Sequence, residues 1–262
     1  MKTILQVRVG TDKMIDAVVL AGGGKPEPLT EQEGVSNKAF IKLHNKPIIA
    51  YILDALHQAG SIDRIIVVGP QKELEDLNEK DFFDIVAEQG SMLDNLAAGF
   101  ELADTEKPCL VVTGDIPLIN AEVIDQFLEL CNPLEHDLYY PVLTREACLE
   151  RFPETERTYV RLKEGHVTGG NIGLVRPAWF LDNKDRLEMF ISYRKKPLKL
   201  LRILPISLGI KYLLKTLSIK DLEYHLSRLL FLKAKAVICD CVEIAVDVDK
   251  ISDLEMVKKA IM

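Results

Sequence analysis

The stretch Asp16–Gly24, DAVVLAGGG, decides how the rest of the chain is read. An uninterrupted apolar run leads straight into Gly22-Gly23-Gly24. Such a run, with no polar alternation, is a short strand covered on both faces, and the glycines end it in a loop. The signature recurs down the chain. Asp63–Val68 (DRIIVV) closes at Gly69-Pro70, Pro108–Thr113 (PCLVVT) closes at Gly114-Asp115, and Asp137–Val142 is a further strand. Between the strands lie segments with helical apolar spacing. Pro47–Ala59 carries Ile48, Ile52, Leu56 and Ala59 on one face, Ser91–Ala103 carries Leu93, Leu96, Ala97 and Phe100, and Ala121–Leu130 follows. Buried strands alternating with helices specify an α/β fold with a mostly parallel central sheet.

The pattern changes after that. Thr158–Lys163 and His166–Val175 flank Glu164-Gly165 and predict a β-hairpin laid onto the sheet. Residues 177–235 read as a late, basic helical insertion, after which Val237–Ile238 and Glu243–Val246 return to strand. Cys239 and Cys241, two apart in that strand region, are expected to face one side. Ser252-Asp253-Leu254-Glu255 has the spacing of a capping box and opens a last helix ending at Ile261. With no repeat and no low-complexity linker, residues 1–262 are expected to form a single domain.

Composition narrows the class. The 262 residues are 48% apolar and 28% charged, enough for a sizeable core, which excludes collagen-like, disordered and disulfide-scaffold chains. The net charge of −7 argues against a nucleic-acid binder. That charge is uneven: Lys184–Lys235 holds 13 Lys/Arg against 4 Asp/Glu, a local +9 that leaves −16 on the remainder. The opening MKTILQVRVGTDK is too short and too soon charged for a secretory h-region, no run of about 18 apolar residues could span a bilayer, and the five cysteines show no CxxC pairing. The expectation is a cytoplasmic protein with buried, reduced thiols.

Three clusters could carry chemistry. Gly22-Gly23-Gly24 lies just past a strand end, where α/β sheets hold their ligands, and glycines let backbone N–H groups approach an anion closely. The loop is neither a Walker A nor a GxGxxG sequence, and a plain turn would also need its glycines. Asp115, in TGDIPL, ends another buried strand; it suits a hard cation such as Mg2+, or else it caps a turn. Asp247-Val248-Asp249 follows the EIAV strand, where alternation puts both acids on one side. Either of them could meet the metal while the other caps the helix that follows. A glycine loop, then Lys38, then two separated strand-end acids together describe a nucleotide–Mg2+ site.

The order LAGGG, SNKAF, TGDIPL, VDVDKISDLE resembles the nucleotidyltransferases of the molybdenum-cofactor guanylyl- and cytidylyltransferase type, the MobA-like NTP transferases, over roughly residues 15–176 and 236–262. The resemblance implies a three-layer, Rossmann-like GT-A nucleotidyltransferase fold. It implies that Leu20, Ala21, Gly22, Gly23 and Gly24 wrap the NTP, that Lys38 reaches its phosphates, and that Gln89, Gly90 and Ser91 read the base beside Gly114. It further implies Asp115, Asp247 and Asp249 as metal ligands, and Thr168, Gly170 and Asn171 as the acceptor side. Where that family usually carries an Arg in the glycine loop, this chain has Glu27, leaving Lys25 as the loop's own cation; Lys25, Lys38 and Asp115 are the catalytic candidates. A Lys is a point charge without the bidentate fork of Arg.

The implied function is Mg2+-dependent transfer of an NMP moiety from an NTP to a phosphorylated small-molecule acceptor, with release of pyrophosphate. The alternatives are a GT-A-fold glycosyltransferase using a nucleotide-sugar and a weakly catalytic nucleotide-binding regulator. Three roles stand open for the basic, leucine-rich residues 194–232: a helical subdomain packed on the sheet, a homodimer contact, or a peripheral contact with a membrane or a lipid-linked acceptor.

Overall fold

The computed structural model describes residues 14–22, 27–78, 80–194 and 205–261. The strand read at Asp16–Leu20 is β1 (Ile15–Leu20), and its two faces settle the layering. Ala17 and Val19 join one apolar cluster with Ile65, Val67, Leu110 and Val112, whereas Val18 joins a second with Ile66, Val68 and Cys109. A strand that alternates between two cores is covered on both sides, which makes the fold three-layered.

The parallel part of the sheet is β5 (Asp84–Ala87), β4 (Ile62–Gly69), β1 and β6 (Cys109–Thr113), in that spatial order. Beyond β6 lie β10 (Ile172–Val175), β7 (Leu138–Thr144), β9 (Gly165–Gly169) and β8 (Val160–Leu162), with β11 (Ala234–Ile238) parallel to β7 on its other edge. The mostly parallel central sheet expected from the sequence is therefore present, with antiparallel β10 inserted between β6 and β7.

On the first face, α2 (Ile48–Gln58) buries Ile48, Ile52 and Leu56, and α5 (Ala121–Leu130) buries Val123, Ile124, Phe127 and Leu128. On the second face lies α4 (Met92–Phe100), capped by the Ser91 hydroxyl, which accepts from the Asp94 N–H. It is joined there by α7 (Pro177–Arg194), whose Phe180 packs edge-on against Phe100. The remaining helices are α1 (Pro28–Glu33), α3 (Gln71–Leu77), α6 (Arg145–Arg151), α8 (Ile206–Leu213), α9 (Ile219–Leu230) and α10 (Ile251–Ala260), and β2 (Lys42–Leu43) pairs with β3 (Lys46–Pro47) as a small ribbon.

Several readings of the second half are corrected. The hairpin arm His166–Val175 is two strands: β9 pairs with β8 and β7, and the chain then turns at Gly170-Asn171 so that β10 can add to β6. Residues 177–235 are not a uniform insertion. Their first helix, α7, completes the second helical layer, and Ala234 and Lys235 already belong to β11. Glu243–Val246 is not a strand: Val242–Ala245 is a 3-10 turn whose side chains all pack inside. Four buried residues in a row fit such a turn as well as a covered strand, and periodicity cannot tell them apart.

Cys239 and Cys241 lie past the end of β11 rather than within a strand, and all five thiols are free and buried. The last helix does not use the Ser252–Glu255 box. It begins at Ile251, and the Asp253 carboxylate accepts from the backbone N–H groups of Asp249 and Lys250.

Candidate functional site

In the parallel part of the sheet, the chain steps from β1 to β4 and β5 on one side, then returns to place β6 on the other. The reversal opens a crevice past the carboxyl ends of β1 and β6, the usual ligand position in open α/β sheets. The two strand ends are tied by the Gly114 N–H, which donates to the Leu20 carbonyl at 2.9 Å. A Cβ at Gly114 would stand 2.9 Å from that same oxygen, so only glycine allows this approach. Gly22 is constrained likewise, since a Cβ there would lie 2.8 Å from that of Glu88. Leu20, Gly22, Lys38, Thr113, Gly114 and Asp115 line a cavity of about 390 Å3, together with Glu27, Thr30, Asn37 and Met92. Gly23, Gly24 and Lys25 lie outside the described residues.

Lys38 begins a 3-10 turn seated by buried Ala39 and Phe40, with the Asn37 side chain accepting from the Ala39 N–H. Its ammonium is held between Glu27 at 2.8 Å and Asp249 at 2.6 Å. Partial burial disfavours its charge, but hydrogen bonds and attraction from Asp249 and Glu27 outweigh that and raise its pKa.

Asp115 follows β6 and accepts from the Thr113 hydroxyl at 2.6 Å. The Asp115 carbonyl accepts from the Val248 N–H at 3.0 Å, which stitches the Asp247-Val248-Asp249 segment to the end of β6. Val248 is fully buried in the core, while Asp247 and Asp249 line the crevice. The three acids therefore meet without the strand expected to carry two of them: one oxygen from each of Asp115, Asp247 and Asp249 lies within 4.8 Å of the others.

Burial bears on all three carboxyl groups, and repulsion between them on Asp115 and Asp247. Burial pushes the Asp115 carboxyl up, and the Asp247 charge adds to the shift against help from Thr113. Asp247 is raised by burial and by Asp249, against the opposing pull of Arg157. Asp249 is lowered, because Lys38 more than offsets its desolvation. Clustered carboxylates that repel one another form a hard-oxygen donor set suited to a divalent cation.

A second cavity, of about 280 Å3, opens beyond Asp247 and Asp249 and is lined also by Thr155, Glu156, Arg157, Thr158 and Thr168. Arg157, on the connection from α6 to β8, donates from Nη1 to Asp247 and from Nη2 to the Gly169 carbonyl, both at 2.9 Å. Its Nε is buried without a hydrogen-bond partner among the described residues. Arg157 and Glu27 were not singled out as working side chains in the sequence; Glu27 marks a departure from the resembled pattern, but nothing local marks Arg157.

The other expected residues divide. Thr168 lines the second cavity. The Gly170 N–H donates to the Pro141 carbonyl, and the Asn171 N–H to the Ile244 carbonyl. The Asn171 amide nitrogen makes no well-formed hydrogen bond, yet lies near enough to Asp247 to favour its charged form. Ala21 is buried at the strand end, its N–H given to the Val68 carbonyl. Gln89, Gly90 and Ser91 do not line the first cavity; Met92 does. The Gln89 N–H donates to the Asn95 side chain, and its own amide to the Ala87 carbonyl. Gly90 sits at φ +115° and Ser91 caps α4. The glycine at 90 and the serine at 91 also meet local backbone needs.

Comparison with known proteins accords with this geometry. A model of the MobA-like NTP transferase domain matches residues 17–214, a span that takes in Lys38 and Asp115 and stops before Asp247 and Asp249. A probable molybdenum cofactor guanylyltransferase of Thermococcus kodakarensis is 30% identical over 44% of this chain and 53% of its own length. A ribitol-5-phosphate cytidylyltransferase of Vibrio parahaemolyticus is 31% identical over 43% of this chain and 51% of its own. The chain thus spans about half the length of these curated relatives. Among solved structures, a hypothetical transferase from Thermus thermophilus superposes with a TM-score of 0.81 at 33% identity, covering 92% of this chain and all of that one. A CMP:2-keto-3-deoxy-manno-octonic acid synthetase complexed with CTP shares the fold, with a TM-score of 0.61 at 14% identity, covering 95% of this chain and 98% of that one.

Proposed function

Because the chain belongs to the MobA-like NTP transferase domain family, which places it among enzymes of the nucleotidyltransferase type, we propose that it transfers the NMP moiety of an NTP to a phosphorylated small-molecule acceptor. The observation that carries this reading is the position of the three acids between two cavities. Asp115 faces the cavity of the glycine loop and Lys38; Asp247 and Asp249 face the cavity of Arg157 and Thr168.

In this reading the NTP occupies the first cavity, where backbone N–H groups of the glycine loop lie close to its phosphates. Lys38 exchanges Glu27 and Asp249 for phosphate oxygens. Lys25, from the same loop, neutralises charge on the leaving pyrophosphate. Asp115, Asp247 and Asp249 would hold Mg2+, whose bound form draws negative charge from the phosphates. The acceptor enters the second cavity, where Arg157, Thr168 and Asn171 orient its phosphate. An acceptor phosphate oxygen attacks the α-phosphorus in line, and the bond to the β-phosphate breaks. A phosphate dianion is already a nucleophile, so the residues act by positioning and charge, with no general base. The location that goes with NTP as substrate is the cytoplasm.

The test is pyrophosphate release from each of the four NTPs with a panel of sugar and polyol phosphates. Release is expected only when NTP, acceptor and divalent cation are all present, and chelation abolishes it. Sugar release from a nucleotide-sugar, or tight Mg–NTP binding without turnover, would overturn the proposal.

A further inference from the structure

Outside the crevice, α8 has an unusual distribution of apolar side chains. Its buried side chain is Leu208, which packs with Leu217 and Ile219 against Val142, Leu162 and Val167 of the sheet. At 100° per residue, Ile206, Ile210 and Leu213 fall on a single stripe opposite Leu208, and Leu214 extends it. That stripe faces solvent: Ile206 and Leu213 are 79% and 78% exposed, and Leu214 and Ile210 follow at 67% and 52%. The ordinary amphipathic pattern is thus inverted, with the apolar side outward. A contiguous exposed apolar patch of this kind marks an interaction site.

The charge around the stripe identifies the partner. Residues 205–235 hold six Lys/Arg against two acids, and Asp221 and Glu223 already pair with Lys211 and Lys235. Lys215, just past the end of α8, and Lys220, in the first turn of α9, are exposed and make no ion pair among the described residues. A second copy of the chain is a poor occupant, because a two-fold interface would bring two surfaces of like charge together. An apolar stripe bordered by cations matches an anionic bilayer surface, where the apolar face enters the acyl boundary and the ammonium groups meet lipid phosphates.

We propose that α8 is an interfacial helix that seats this protein on anionic membrane. No helix among the described residues is long and apolar enough to cross a membrane, so the contact is peripheral. The inference is independent of nucleotidyl transfer and stands or falls on vesicle binding alone.

The experiment is co-sedimentation of the full chain with phosphatidylcholine vesicles, with and without phosphatidylglycerol. Two variants accompany it: Ile206→Glu/Leu213→Glu/Leu214→Glu, and Lys215→Glu/Lys220→Glu. All five positions are exposed, so thermal unfolding of the variants is expected to match that of the parent. About tenfold more protein is expected on the anionic vesicles than on neutral ones, with loss of binding at high salt. The apolar variant is expected to lose about tenfold and the lysine variant less. Absence of binding, equal binding to neutral vesicles, or full binding by the apolar variant overturns the proposal. So does a parent that runs as a dimer in solution and becomes a monomer in the apolar variant.

Discussion

In the crevice at the ends of β1 and β6, charged side chains lean on partners of opposite sign; on the outer face of α8, four large apolar side chains stand more in solvent than in the protein. Lys38 is gripped by Glu27 and Asp249, and Arg157 by Asp247. Ile206, Ile210, Leu213 and Leu214 are all more than half exposed. Both regions depart from the ordinary distribution of side chains, but in opposite directions. A half-buried charge persists only when it is paired or awaits a ligand, and an apolar stripe in water persists only when something else covers it. The first region is arranged for small charged molecules, the second for a surface.

The two regions separate most clearly in a pair of variants assayed together. Asp115→Ala is expected to lower pyrophosphate release by about 10²–10³-fold, the scale for losing one electrostatic group at a reacting centre. The Ile206→Glu/Leu213→Glu/Leu214→Glu variant is expected to leave release with a soluble acceptor unchanged. Equal losses in the two would mean that the regions are not separable.

Arg157→Ala comes next. It leaves Asp247 beside Asp249 without its guanidinium, at a site where the pair is mostly buried. A loss of about 2 kcal/mol in unfolding free energy is expected, less than for a fully buried pair. A divalent cation is expected to restore part of it, because the cation replaces the missing positive charge. Urea denaturation with and without metal measures both effects.

Glu27→Gln has a smaller expected effect of the opposite sign. Lys38 then loses one of its two resting partners, and NTP binding is expected to tighten about threefold, the gain being modest because Glu27 is nearly half exposed. Calorimetric titration decides it; weaker binding would mean that Glu27 itself contacts the nucleotide.

The smallest effect is a pH slope. Asp115 and Asp247 have raised pKa values, so between the ordinary carboxylate range and those raised values the folded chain holds more protons than the unfolded one. Stability of the metal-free protein is therefore expected to fall as pH rises through that window. Asp115→Asn is expected to flatten the slope, which thermal unfolding across the window would show.

The sequence was most legible where folding is local. Ala121–Leu130 is helical over the residues expected, and the cores of β1, β4 and β6 lie where apolar runs end in glycine. Asp115 could be singled out because it stands at such a boundary, Asp247 and Asp249 because they follow an apolar run, and Lys38 through its place after the glycine loop in the resembled order. Legibility failed where one residue type served two backbones. Val242-Glu243-Ile244-Ala245 suit a strand or a 3-10 turn equally. Arg157 had no local signal at all, since its partner Asp247 is 90 residues away.

By itself, then, the sequence determined the α/β alternation, the three strand-end clusters and the excess of positive charge late in the chain, because each follows from residue type and spacing along a short segment. Only the tertiary structure decided that three carboxylates share one point, that Arg157 and Glu27 pair with the residues beside it, and that α8 turns its apolar stripe outward. Those facts depend on which surfaces the sheet leaves open after β10 and β11 have added to it, and no short stretch of sequence encodes that.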